Sequence, residues 1–411
     1  MIKVVSLGCK VNSYESSALK EQLFNLYPNK DITLINTCSV TAVADQKSRQ
    51  IIRRERKKNI EGIIVVMGCY SQNHADYVLN ECGADIVVGT SNRSKIPLLI
   101  NSYLNNKEKI KDIDEDTRHF EYESFKSFAV PDATRAYIKI EDGCNNFCSY
   151  CTIPYTRGVS RSRPKQEIID EIKSLIDQGY LEFVLTGIHT AHYGIDNHEC
   201  SFSDLVEELL QLPGLYRLRI SSIEESEIDE KLITLFTKYP NLAHHLHMPL
   251  QSGSPTVLKR MRRKYKTDDF LTKVNKLREV CPDIAITTDV IVGFPQETEK
   301  EFQETVSFIK KINFAEVHVF PFSARPGTDA AKMDGQIDPS VKQQRVQVLL
   351  NLSKELQESF KNRFLGEEME VILEERNKVT NLMSGFTSNY IKLDGDFSDE
   401  YKGKIVKLKV R

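Results

Sequence analysis

The sequence predicts an α/β protein in three parts: a parallel α/β sheet, a central partial (β/α)6 barrel and a small C-terminal β-barrel. Three observations predict it. Short β-branched runs alternate with helix-like stretches up to about residue 90, and again from Ala136 to about Phe322. A polar stretch, roughly Asn101–Arg135, parts the two series and reads as a linker with little core of its own. After a helical stretch, about Ser340–Phe364, the pattern changes to strands broken by Gly and Asp turns. The expected domains are 1–120, 130–365 and 366–411.

In the first part the strands are "IKVVSLG", "DITLINT", "GIIVVMG" and "ADIVVG", with helices such as Tyr14–Leu26 and Asp45–Lys58 between them. In the second, six apolar runs alternate with helices: "AYIKIEDG", "EFVLTG", "RLRISS", "AHHLHMPL", "IAITTDVIVGF" and "EVHVFPF". Such β/α units place their chemistry at the carboxyl ends of the strands. The tail offers "EMEVILEE", "SNYIKL" and "GKIVKLKV" as strands.

Composition limits the function classes. The chain has 411 residues, enough for two or three domains. It is 40% hydrophobic and 28% charged, with a net charge of -2, so any polyanion site is a local patch. The start, MIKVVSLGCK, has no signal-peptide pattern, and runs such as "IIVVMG" are too short to span a bilayer. Nine cysteines are too few and too scattered for a disulfide scaffold. A reduced, cytoplasmic setting with metal-binding or reactive thiols is expected.

Two sets of three cysteines carry the chemistry. Cys9, Cys38 and Cys69 each follow a predicted parallel strand, 29 and 31 residues apart. The carboxyl ends of parallel strands share one edge, so the three should converge on a metal. Cys82, Cys200 and Cys281 have no such placement and read as structural. Cys144, Cys148 and Cys151 lie within "DGCNNFCSYC", after the first barrel strand. Thiolates select zinc, Cu(I) or iron–sulfur clusters. Three thiolates leave one iron of a 4Fe–4S cluster open to substrate; on spacing alone, zinc completed by a remote His or Cys stays open.

The Cys-x3-Cys-x2-Cys pattern, with Tyr150 before its last Cys, resembles the radical S-adenosylmethionine enzymes. "GCKVNSYES", "NTCSVTAVADQKSRQ" and "GCYSQ" resemble the N-terminal domain of the methylthiotransferases within that superfamily. "GCNNFCSYCTIPYTRGVSRSR", "HMPLQSGSPTVLKRMRRKY", "TTDVIVGFPQET" and "VFPFSARPGTDAA" resemble their catalytic domain, and the tail resembles a TRAM domain, an RNA-binding β-barrel. The resemblance spans nearly the whole chain.

It implies two 4Fe–4S clusters and S-adenosylmethionine as cofactors. The cluster on Cys144, Cys148 and Cys151 would bind and cleave S-adenosylmethionine to a 5′-deoxyadenosyl radical. The cluster on Cys9, Cys38 and Cys69 would carry the sulfur. By motif position, Tyr150 should lie near the adenine, and Thr186 and Gly187 near the methionyl amino group. Ser222 and Glu224 should lie near the ribose or carboxylate. Gln251, Val292, Gly293, Phe320 and Pro321 end later strands as further cosubstrate contacts. Glu224 is equally readable as a loop charge, and Val292 and Phe320 as barrel packing. His189, His192, His244, His245 and His247 read as loop or packing residues.

"GCKVN", "LTGIHTAHYG" and "SSIEESEI" resemble the type acting on threonylcarbamoyl-modified adenosine beside the tRNA anticodon. The isopentenyladenosine type reads more like "GCQMN", "LGQNVNSYG" and "STSHP", and the type acting on a ribosomal-protein aspartate has "GCxKN". A catalysis-free iron–sulfur or zinc RNA-binding protein is the alternative of another class. The expected partners are the tRNA anticodon stem-loop, an electron donor such as flavodoxin or ferredoxin, and a sulfur donor. No membrane partner is expected, and the chain should act as a monomer.

Basic clusters support RNA. Lys47–Lys58 holds seven Lys or Arg in twelve residues, and Lys259–Lys266 holds six. Arg157, Arg161 and Arg163 follow the cysteine motif directly, and phosphate contact is expected of them. A splayed loop base is accessible to such a site.

Overall fold

The computed structural model of the chain describes residues 1–125 and 134–411. Its first body is a five-stranded parallel sheet in chain order: Ile2–Ser6, Ile32–Thr37, Ile63–Gly68, Ile86–Val88 and Ile110–Asp112. Ile32–Thr37 and Ile63–Gly68 are buried at every position, because helices cover both faces. Lys10–Leu26, Ala42–Lys58, Cys69–Glu81 and Ile96–Asn106 are those helices, and a separate apolar cluster fills each face.

The expected linker is corrected here. Asn101–Asn106 completes a helix, Ile110–Asp112 is the edge strand, and Phe120 and Phe125 are buried. A three-residue strand with one apolar side chain leaves no periodic signal to read. The remainder of that stretch, 126–133, lies outside the described residues.

The second body has six parallel strands: Arg135–Lys139, Glu182–Thr186, Arg217–Ile220, His245–His247, Ala285–Val292 and Glu316–Pro321. The first three form one sheet and the last three another. Single parallel bridges, Leu218 to Leu242 and Ser222 to His247, join the two sheets. Among the described residues the first and last strands do not pair, so the barrel is open. Its outer face is the largest core of the molecule. Strand alternation sorts the side chains: Val290 and Val292 enter that core, whereas Asp289 and Ile291 point to the inside.

The helix Pro339–Asn362 packs on the last strand, where the Ser353 hydroxyl bonds Val317 N–H and C=O at 3.0 and 2.9 Å. The third body is an antiparallel sheet curled as a half-barrel, from Glu368–Arg376, Met383–Phe386, Lys392–Gly395 and Ile405–Lys409. It closes the amino ends of the barrel strands. There Arg135 pairs with Glu374 at 2.7 Å, Arg219 donates to the carbonyls of Thr387 and Ser388, and Tyr390 stacks on His245. The first body meets the opposite end, bringing the carboxyl edge of its sheet against the carboxyl ends of the barrel strands.

Candidate active site

All three strand-end cysteines of the first sheet gather at that edge. Cys9 caps the helix Lys10–Leu26, Cys38 follows Thr37, and Cys69 opens the helix Cys69–Glu81. Gly8 allows the approach: at φ +99°, a Cβ there would lie 2.8 Å from Cys38 Cβ and 2.9 Å from its Sγ. Asn12 ties the loops together. Its Nδ2 donates to the carbonyls of Leu7 (2.7 Å) and Thr37 (3.1 Å), while its Oδ1 lies 3.6 Å from Cys9 Sγ. The three thiols feel one another electrostatically. Burial raises the Cys69 thiol and pushes Cys38 up to about 12. Cys82 and Cys281 lie in hydrophobic cores, and Cys200 packs against one.

The second triad winds around a tight loop. Cys144 N–H bonds Gly158 C=O (3.0 Å) and Cys151 N–H bonds Cys148 C=O (3.0 Å). Gly143, at φ +88°, passes so near Val159 that a Cβ would lie 2.0 Å from its carbonyl oxygen. Cys144 Sγ lies 3.6 Å from His189 Nδ1, and Cys148 Sγ accepts from Arg263 Nη1 at 3.5 Å. Burial pushes Cys151 up to about 12, and Cys144 also upward. Cys151 also feels Cys69, so the two triads face each other across the domain contact.

A buried charge network lies beneath that contact. Arg157 Nε donates to Cys69 Sγ at 3.3 Å, its Nη2 to Asn12 Oδ1 at 2.8 Å, and its Nη1 to Glu15 (2.9 Å) and Asp142 (3.0 Å). Lys139 bonds Glu15 and Asp142 at 2.9 and 2.7 Å, and Arg93 pairs with Glu15, Glu123 and Asp142. Arg161 reaches Asp142 at 3.2 Å. Burial alone would raise the Glu15 and Asp142 carboxyls; the cations outweigh it and hold both well below the carboxylate range. Arg93, Lys139, Arg157 and Arg161 all act on Asp142, and Arg161 also acts on the buried carboxyl of Glu141.

This corrects the expectation for Arg157, Arg161 and Arg163. All three are buried; Arg163 pairs with Glu171 and Glu167. Side chains so enclosed cannot meet RNA phosphates. Exposed cations sit elsewhere: Arg53, Arg54, Lys57 and Lys58 on the helix Ala42–Lys58, and Lys259, Arg262 and Lys264 beside the barrel. Arg325 also has a structural task, joining the barrel to Asp45 (2.6 Å) and Ser39 (3.0 Å) beside Cys38.

The residues expected at the cosubstrate divide. Tyr150 joins an apolar cluster with Ile291, Phe294 and Met261 beside the second triad. Thr186 is buried at its strand end, and Gly187 has no room for a Cβ against Glu141 and Thr190. Ser222 forms the bridge to His247. Glu224 bonds Arg263 (2.8 Å) and Asn146 (3.2 Å), locking the Cys148 side of the loop. Gln251 bridges to Val290 in a left-handed conformation, Gly293 turns at φ +71°, and Phe320 and Pro321 are exposed at the last strand's end. Val292 is corrected: it is fully buried in the outer core, and its neighbour Ile291 faces the inside. The histidines are paired or stacked. His189 and His192 share Glu227, and against burial these imidazoles hold its carboxyl down to about 2. His244 pairs with Asp283, and His247 with Thr287 and Asp289.

Reading the residues as a sequence missed Arg263, hidden within a basic run, and the inward reach of Lys10. Lys10 starts the helix after Cys9 and extends toward Arg135 and Arg219 of the barrel interior; burial and those two cations lower its ammonium to about 8.

The donors fit iron–sulfur clusters better than single ions. In neither triad do the three sulfurs all lie within 4.8 Å of one another, whereas a lone tetrahedral zinc holds thiolates within about 4 Å. Among the described residues Nε and Nη2 of buried Arg263 lack hydrogen-bond partners beside Cys148, as donors awaiting an anionic group do.

Comparison with known proteins agrees. Residues 138–309 match the radical SAM superfamily and residues 1–89 the uncharacterized protein family UPF0004. The chain is 45% identical to threonylcarbamoyladenosine tRNA methylthiotransferase MtaB of Bacillus subtilis, covering 98% of this chain and 92% of that one. It is 38% identical to MtaB of Thermotoga maritima, covering 95% and 90%. The solved radical S-adenosylmethionine methyltransferase TsrM from Kitasatospora setae shares the fold, with a TM-score of 0.58 at 15% identity over 80% of this chain and 73% of that one.

Proposed function

Because the chain belongs to the radical S-adenosylmethionine tRNA methylthiotransferase family, we propose that it adds a methylthio group to C2 of N6-threonylcarbamoyladenosine beside the tRNA anticodon, using two 4Fe–4S clusters. The observation that carries this reading is the meeting of two three-cysteine sets across Arg157. Residues 1–120 would hold the sulfur-carrying cluster, 130–365 the radical chemistry, and 366–411, TRAM-like, would contact RNA.

Cys144, Cys148 and Cys151 would hold one cluster, and Cys9, Cys38 and Cys69 the other. When bound, these clusters supply one-electron cleavage of S-adenosylmethionine and a site for the transferred sulfur. The chain's own residues do the rest. Arg157 places positive charge against Cys69, which favours its thiolate over the thiol that burial alone would leave, and Arg263 donates to Cys148 Sγ. The apolar cluster of Tyr150, Ile291 and Phe294 offers a flat aromatic or adenine ring a dry wall. Closure by the first domain keeps water from a reactive radical. Exposed lysines and arginines on the helix Ala42–Lys58 position the stem-loop through its phosphates. An electron donor such as flavodoxin or ferredoxin and a sulfur donor complete the reaction.

The substrate reading rests on the names of the relatives and on "GCKVN", "LTGIH" and "SSIE". The test is anaerobic turnover with methyl-labelled S-adenosylmethionine and two anticodon stem-loops. Label should enter the threonylcarbamoyladenosine loop and not the isopentenyladenosine loop. Label in the second loop alone would overturn the substrate, and label in neither would overturn the reaction.

A further inference from the structure

The barrel interior holds a cation without a protein partner. Lys10 follows Cys9 directly and is half-buried. Among the described residues it makes no hydrogen bond or ion pair, whereas the neighbouring cations of the interior are all paired. Its electrostatic neighbours are Arg135, Arg219 and His245, on the first, third and fourth barrel strands, together with Glu182 and Cys9.

Glu182, the carboxylate of that wall that acts on Lys10, is already shared by arginines. Arg135, Arg217 and Arg219 share Glu182, at 4.0, 3.0 and 2.7 Å, and Glu374 is taken by Arg135. These three arginines outnumber Glu182 and Glu374 before Lys10 is counted. Holding an unpaired ammonium there is costly unless an anion arrives from outside. Tyr390, stacked on His245 beneath the Arg219 guanidinium, also lines a cavity of 530 Å3 between the last two barrel strands, the helix Pro339–Asn362 and the third body.

We propose that Lys10 is the residue that selects the N6 substituent, its ammonium pairing with the carboxylate of the threonylcarbamoyl group while the adenine ring lies between the two cysteine triads. The inference rests on the substrate reading above. That carboxylate is the anionic group that an isopentenyl substituent lacks. A site with an unpaired cation rejects a neutral substituent by leaving that cation unsatisfied.

The test uses two anticodon stem-loops that differ only in the substituent: the free threonylcarbamoyl acid and its neutral methyl ester. Dissociation constants for both, and kcat/KM for both, are measured with the wild type, Lys10→Gln and Lys10→Arg. The wild type should favour the acid by about 10- to 100-fold. In Lys10→Gln the ratio should fall to within about threefold of unity, and Lys10→Arg should keep most of it. The ratio is internal to each variant, so a general loss of iron or activity cancels. An unchanged ratio in Lys10→Gln overturns the proposal. So does an equal weakening of both loops, which would mean that Lys10 serves only to balance cluster charge. A wild type that binds the acid loop selectively but leaves it unmodified would instead sink the function proposed above.

Discussion

Replacing Arg157 by Ala tests the link between the two domains. The change removes three ionic hydrogen bonds (two to Glu15 and one to Asp142), the hydrogen bond to Asn12 and the contact to Cys69, all buried. Removing one partner of a buried ion pair costs about 3–5 kcal/mol. Arg93, Lys139 and Arg161 still face the same carboxylates, so the lower end, about 3 kcal/mol, is expected. Arg157→Lys keeps the charge but loses the fork, and should cost roughly half as much. The assay is urea unfolding of the anaerobic apoprotein, followed by a probe on the first domain. Iron analysis of the reconstituted protein should show loss from the Cys9, Cys38 and Cys69 site before loss from the other. An Arg157→Ala protein within about 1 kcal/mol of wild type, with both clusters intact, would refute the reasoning.

Cys144→Ala, Cys148→Ala or Cys151→Ala should lose about four irons and all deoxyadenosine formation, whereas Cys9→Ala, Cys38→Ala or Cys69→Ala should lose about four irons but still cleave S-adenosylmethionine. Cys82→Ser, Cys200→Ser and Cys281→Ser should keep near-normal iron content. Acid should weaken the fold in a defined window. Glu15 and Asp142 are held low, and Glu227 at about 2, so their contribution is complete above the unfolded value near about 4 and is lost as pH falls below it. Glu227→Gln should flatten the acid limb of the urea-stability profile between those values. Val292→Ala should cost about 1–3 kcal/mol without changing the KM for S-adenosylmethionine, whereas Ile291→Ala should raise that KM. Charge reversal at Lys57 and Lys58 should weaken tRNA binding and flatten its salt dependence, which filter binding over a salt series would show.

What the sequence made legible was whatever local pattern determines. Cys9, Cys38 and Cys69 could be brought together because β-branched runs mark parallel strands, and parallel strands share a carboxyl edge. The strand Met383–Phe386 escaped notice because "MSGF" has neither alternation nor β-branching. Motif position places Val292 at a strand end, but only the two-residue alternation, measured from a known core residue, tells inside from outside and turns Ile291 inward. Arg157, Arg161 and Arg163 misled for a deeper reason. A basic run on a solvated face and one buried against Glu15, Asp142 and Glu171 look identical in sequence. Glu15 lies 142 residues from Arg157, so only the apposition of two domains reveals their pairing.

Mass spectrometry of tRNA nucleosides from cells lacking this gene tests the proposed reaction and its substrate together. In those cells 2-methylthio-N6-threonylcarbamoyladenosine should disappear and unmethylthiolated N6-threonylcarbamoyladenosine accumulate, with isopentenyladenosine derivatives unchanged. Restoring the wild-type gene should return the mark, and restoring the Cys38→Ala gene should not. An undiminished methylthio mark on threonylcarbamoyladenosine in the deletion strain, with loss of that on isopentenyladenosine, would contradict the proposal.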